Sequence, residues 1–203
     1  MLEEKIVETM DDGIKDLRPI DGALFELLVS DKEVCEEMLR TIMEDDKLQV
    51  KEVVPQRDEL CRYSTKLDAT CILGNGKECC VGVQLAEGED NHVRNVLRNA
   101  SNITARYVDI CERIEDLIEL YIICISEKDF LRGGRTIYHT KMEVEETKRE
   151  VDDGQHEIFV NAEIDDKSDI AELMSCLKQT TVNNPKFPKL SEAVNRIKKQ
   201  TRL

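Results

Sequence analysis

From Asp21 onward the apolar residues Ala23, Leu24, Leu27, Leu28, Val34, Met38, Leu39, Ile42 and Met43 recur near helical spacing. Side chains spaced this way share one face of a helix, so the pattern predicts an amphipathic helix with Asp21 as its N-cap. Ser30-Asp31 interrupts it, ending the first helix and capping a second, while Pro19 disfavours helix at Arg18. Leu48 to Val54 partly alternates apolar and polar, as a half-buried strand does. Two further strand-like runs, Thr65 to Leu73 and Lys77 to Leu85, flank Gly74-Asn75-Gly76. Asn and Gly tolerate the positive φ of tight turns, so these runs are read as an antiparallel hairpin.

Asn91 to Leu117 reads as one or two helices, with Val93, Val96, Leu97, Ala100, Ile103, Val108, Ile110 and Ile114 at helical intervals. Leu120 to Ile125 is continuously apolar and rich in β-branched residues, which suits a strand buried on both faces. A crossover helix before it would make it parallel to a hairpin strand. Arg135 to Val144 and Glu157 to Ala162 are predicted as peripheral strands, separated by the charged loop around Asp152-Asp153-Gly154. Helices are predicted at Ser168 to Lys178 and, after Pro185 and Pro188, at Ser191 to Arg202.

With 203 residues, 40% of them apolar, the chain can bury one substantial core. The expectation is a single α/β domain over residues 1–203: a central mixed sheet of about four to six strands with helices on both sides. Residues 1–15 form a polar lead, and 185–203 a basic C-terminal helix. No apolar run is long enough for a membrane span and the acidic start is unlike a signal peptide, so the expected compartment is the cytosol. The eight cysteines lie mostly in apolar stretches and are read as reduced core residues; no CxxC or CxxH spacing suggests zinc.

Chemistry concentrates on the hairpin, in Lys66-Leu67-Asp68-Ala69-Thr70-Cys71-Ile72-Leu73 and Cys79-Cys80-Val81-Gly82-Val83-Gln84-Leu85. A metal-dependent nuclease needs an Asp on one strand and an acid on its neighbour, converging on a divalent cation. A Lys or Gln two residues after the second acid falls on the same face, because strand side chains alternate with period two. On the residues alone Asp68 reads as an ordinary surface acid near a turn.

In these segments the chain resembles the PD-(D/E)XK nuclease family transposases, related to the recombination-promoting nuclease group. The resemblance runs from about Asp16 to about Arg196. It rests on Asp16-Leu17-Arg18-Pro19-Ile20-Asp21 with Phe25, Leu67-Asp68-Ala69, the Leu73 to Gly76 turn, Val83-Gln84, Arg98 to Ser101, and Asn184-Pro185-Lys186-Phe187-Pro188. It implies a restriction-endonuclease-like fold and hydrolysis of DNA phosphodiester bonds with Mg²⁺ or Mn²⁺. Asp68 matches the first metal-binding acid, and Gln84 the final motif position, where it would orient water or phosphate. The family's glutamate is replaced by Gly82, which offers no ligand oxygen, so the resemblance implies an impaired or inactive nuclease.

Asp21 and Glu26 are candidate accessory acids, Glu26 resembling an acid that some nucleases of this fold supply from a helix. Glu78 shares the face of Gly82 but lies roughly 13 Å along the strand, too far for the same ion. Glu87 and Glu89 follow the strand and could fold back. The net charge of -14 requires any DNA contact to be local. Arg94 and Arg98, one helical turn apart, either steer phosphate toward the hairpin or pair with Glu87, Glu89 or Asp90; the Arg196 to Arg202 tail is either a nucleic-acid patch or a solvated helix end. The alternative function is a non-catalytic DNA-binding or protein-interaction module derived from such a nuclease, forming a homodimer through its helices.

Overall fold

The computed structural model describes residues 14–54, 67–86, 92–108 and 119–200. After a 3₁₀ turn at Ile14–Asp16 come α1 (Gly22–Val29) and α2 (Lys32–Ile42), divided at Ser30-Asp31 as the pattern requires. The Asp31 side chain accepts a hydrogen bond from the Glu33 N–H, capping α2. Asp21 occupies the N-cap of α1 but makes no side-chain capping bond. Its carboxylate is held by Arg18.

Three strands follow, β1 (Gln49–Val54), β2 (Leu67–Ile72) and β3 (Glu78–Ala86), each antiparallel to the next. The turn from β2 to β3 closes with Gly76 N–H donating to Leu73 O and Leu73 N–H to Lys77 O, both at 2.8 Å. Gly76 has φ +86°, whereas Gly74 and Asn75 do not enter the left-handed region. The hairpin is thus a turn with a glycine bulge, one residue longer than the tightest hairpin turns. Gly74 has its own constraint: a Cβ there would fall 2.5 Å from the Asp45 carboxylate, which accepts the Gly74 N–H.

Helix α3 (His92–Val108) connects β3 to β4 (Glu119–Ser126), which runs parallel to β3 as the crossover predicts. The rest of the run to Leu117 lies outside the described residues, as do Thr65, Lys66, Glu87, Glu89, Asp90, Cys61 and Cys111. The chain continues through β5 (Ile137–Thr140), β6 (Met142–Val144), β7 (Arg149–Val151) and β8 (Gln155–Asn161), then α4 (Asp169–Leu177) and α5 (Pro188–Gln200). The strand expected from Arg135 to Val144 is two strands in different sheets: β5 edges the main sheet, while β6 pairs with β7 in a separate ribbon. The expected peripheral strand near Glu157 is interior, because β8 lies between β4 and β5 in the order β1-β2-β3-β4-β8-β5. Helix α5 begins three residues before the expected Ser191, since Pro188 fits a first helical turn, where an N–H is not needed.

The sheet is mixed, six-stranded and covered by helices on both faces. Strand β4 is buried on both sides, giving Ile123 and Ile125 to one face and Leu120, Ile122 and Cys124 to the other. The first of these faces packs under α1, α2, α4 and α5 in the larger core. The second packs under α3, through Val96, Ala100 and Ile103. The six described cysteines are buried free thiols, in accord with the sequence reading.

Candidate functional site

The hairpin register places Asp68 directly opposite Gly82. Neighbours directly across a ladder point to the same face, and Gln84, two residues beyond Gly82, shares it by strand alternation. This is the α3 face, since Cys80 of the same parity belongs to the core under α3, whereas Val81 and Val83 belong to the larger core. Asp68 is 5% exposed and Gln84 4%. One carboxylate and one amide therefore lie on the same face, and Gly82, opposite the first and two residues before the second, adds no side chain there.

The neighbours on the far side define the chemistry. Gly82 is in register with Ile122 and Gln84 with Cys124. Burial pushes the Cys124 thiol up to about 11, while a hydrogen bond from the Gln84 side chain pulls the other way. Glu157 continues the row beyond Ile122, but two strand spacings, about 10 Å, separate it from Gly82. Its carboxylate is engaged by Thr140 and Gln155.

The other candidate acids stand elsewhere. Helix α1, which carries Asp21 and Glu26, packs its buried residues into the core on the opposite face of the sheet. Asp21 is bound by Arg18, whose guanidinium also reaches Glu127 at 2.8 Å, and Glu26 is exposed. Burial raises the Asp21 carboxyl, but the Arg18 guanidinium and backbone N–H outweigh it and hold it below its ordinary value. Glu78 pairs with Lys51 at the far end of β3.

Arg94 and Arg98 are exposed on α3. Each lies two residues from buried Val96, which rotates it about 160° from the side that packs on the sheet. They project from the outer surface of the helix and do not point at the Asp68 row. In the C-terminal helix Arg196 pairs with Asp31, and the Lys198 ammonium donates to the carbonyls of Lys15, Leu17 and Thr180. Both cations tie the helix to the domain surface, so part of the basic tail is engaged by the fold itself.

Mg²⁺ and Mn²⁺ favour near-octahedral oxygen ligation and are usually held by more than one carboxylate or by substrate phosphate. Among the described residues no three His, Cys, Asp or Glu side chains come together as a metal site. Asp68 with Gly82 opposite does not fit a tightly held resident ion.

A second feature on the α3 face carried no periodic signal. The loop from Glu127 to Thr136 leaves the C-terminal end of β4 and is anchored on the core under α3 by Phe130 and Tyr138. The buried Asn161 side chain holds its end, donating to Arg135 O at 2.7 Å and accepting from the Glu163 and Ile164 N–H groups. Among the described residues no helix is long and apolar enough to cross a membrane. No family model matches the chain, and no curated protein or solved structure matches it either.

Proposed function

We propose that this chain is a PD-(D/E)XK-type DNA nuclease domain, with a restriction-endonuclease-like fold, whose hydrolytic centre is impaired because Gly82 stands where the second metal-binding acid belongs. The observation that carries this reading is the register: Asp68 faces position 82 directly across the hairpin, and Gln84 follows on the same face. A carboxylate on residue 82 would sit beside Asp68, at the spacing two oxygen ligands of one divalent ion require. DNA as partner, Mg²⁺ or Mn²⁺ as the ion of a restored site and a cytosolic location belong to the same proposal. Asp68 is the surviving ligand, and Gln84 the group that orients phosphate or water.

The test restores the acid. Native protein is expected to leave supercoiled plasmid intact in Mg²⁺. Gly82→Glu is expected to nick it, and Asp68→Ala in that background to abolish the nicking. Calorimetric titration with Mn²⁺ should show binding in Gly82→Glu that the native chain lacks. Metal-dependent cleavage by the native protein would mean that another acid substitutes and that the centre is not impaired. A folded Gly82→Glu protein that neither binds Mn²⁺ nor cuts would remove the nuclease reading.

A further inference from the structure

We propose that the Lys128 to Arg135 loop is a phosphate-contacting surface for duplex DNA, with the Arg132 and Arg135 guanidiniums as its contact groups. The inference rests on the nuclease reading and adds to it the place where the duplex backbone is held.

Charge is the first argument. The chain carries 43 acidic residues against 29 Lys and Arg, so carboxylate partners are abundant. Arg18, Arg40 and Arg196 all take them, pairing with Asp21 and Glu127, with Glu36, and with Asp31. Among the described residues the Arg132 and Arg135 side chains enter no ion pair, and both are exposed. Between residues 128 and 135 stand Lys128, Arg132, Arg135 and one acid, Asp129; Lys128 pairs with Glu163 at 3.6 Å, which leaves the two arginines as the contact groups.

Asp129 is already engaged. Its Oδ1 accepts from the Arg132 N–H at 3.0 Å and the Tyr138 hydroxyl at 2.8 Å, and its Oδ2 from the Gly134 N–H at 2.8 Å. The neighbouring Glu127 is bound by Arg18. Among the described residues the Arg132 and Arg135 guanidiniums are thus cations left without a carboxylate partner in an otherwise acidic protein, groups that a phosphate oxygen can engage.

The loop is also built to hold a shape. The Tyr138 hydroxyl accepts from the Gly133 and Arg135 N–H groups at 3.0 and 3.1 Å. A Cβ on Gly133 would fall 2.6 Å from the Tyr138 ring, so the chain can pass there only as glycine, and Gly134 follows at φ +68°. Asn161 fixes Arg135 O from below. Both arginines thus stand on a backbone whose conformation is set before any ligand arrives, which lowers the ordering cost of binding.

Location completes the case. Ser126, the last residue of β4, lies two residues, about 7 Å, beyond Cys124, the register partner of Gln84. Phe130 and Tyr138 pack on the core under α3, the face to which Asp68 and Gln84 belong. The loop rises from the same face and the same end of the sheet as the candidate site. Arginine at such a place makes two-pronged contacts to phosphate oxygens.

The experiment is binding of a fluorescein-labelled DNA duplex to the full chain, titrated across salt. Arg132→Gly with Arg135→Ala is the test variant. Arg132 has φ +55°, so glycine fits its backbone and the substitution removes the guanidinium without straining the fold. Lys148→Ala with Arg149→Ala, two cations of the β6–β7 ribbon, removes equal charge elsewhere. We expect affinity to fall about tenfold or more in the loop variant, with the salt slope reduced by about two. The ribbon variant should stay within about twofold of native. Equal binding by native and loop variant, or equal losses in the two variants, would overturn the loop assignment and leave the nuclease reading standing. Absence of native binding even at low salt would also overturn it, and the nuclease reading would then be judged on Gly82→Glu cleavage alone.

Discussion

The two faces of the central sheet are built from different materials. Toward α1, α2, α4 and α5 the strands present only apolar side chains among their buried positions: Val50, Ala69, Cys71, Cys79, Val81, Val83, Ile123, Ile125, Ile158 and Val160. Toward α3 the same strands bury Asp68, Gln84, Ser126 and Asn161 beside Ile122, Cys124 and Phe159. Buried polar groups cost free energy unless hydrogen-bonded, and among the described residues none of their side-chain atoms is left unsatisfied. Asn161 and Ser126 bond their polar atoms to the neighbouring backbone, which leaves Asp68 and Gln84 as the part of the asymmetry that loop anchoring does not explain. One face is apolar throughout its buried positions; the other mixes a smaller apolar core with buried polar groups.

The comparison breaks most visibly under core truncation. Phe25→Ala, on the buried side of α1 in the four-helix layer, is expected to cost about 3 to 5 kcal/mol in urea unfolding. Ile103→Ala, in the smaller core under α3, should fall near the low end for its type, about 2 kcal/mol. Equal losses would mean that the two faces differ in chemistry and not in their share of the stability. Asn161→Ala comes next, because it leaves the Arg135 carbonyl and the Glu163 and Ile164 N–H groups without their partner. About 2 kcal/mol should be lost in urea unfolding, and under the proposed reading duplex binding should weaken with it, because the loop loses its anchor.

The smallest effect lies where the faces are tied together, at Arg18, which grips Asp21 of the helical layer and Glu127 at the foot of the loop. Asp21 titrates below its ordinary value in the folded state, so its ionised form adds stability above about pH 4 that disappears as pH falls through the folded value. Asp21→Asn should therefore trail the native protein by at most about 1 kcal/mol at pH 7, given the partial exposure of the pair. The two should converge as pH drops toward 2. A gap that stays constant with pH would show that the charge of Asp21 contributes nothing.

What could be read in the chain was whatever repeats locally. Helical spacing located α1 and α2 and the break at Ser30-Asp31, and the continuous apolar run of β4 announced a strand buried on both sides. The antiparallel hairpin was legible too, from its Gly-Asn-Gly turn, while the pairing of Asp68 with Gly82 is set by where that turn closes. Position within the sheet was not local information. Charged residues around Asp152 made β8 look peripheral, yet it inserts between β4 and β5, and the break near Lys141 that sends β6 into its own ribbon has no apolar signature. The loop of Arg132 and Arg135 escaped for the same reason. Its shape depends on Tyr138 and on Asn161, a residue some 26 positions away, and such polar partnerships leave no period in a sequence.

The register of Asp68 against Gly82 also bears on heredity. Glycine and glutamate codons can differ by a single base, and the strand that would receive the new side chain is already in place opposite its partner. Under the proposed reading, and where the glycine codon is GGA or GGG, a lineage carrying this chain would stand one point mutation from a DNA-cutting protein.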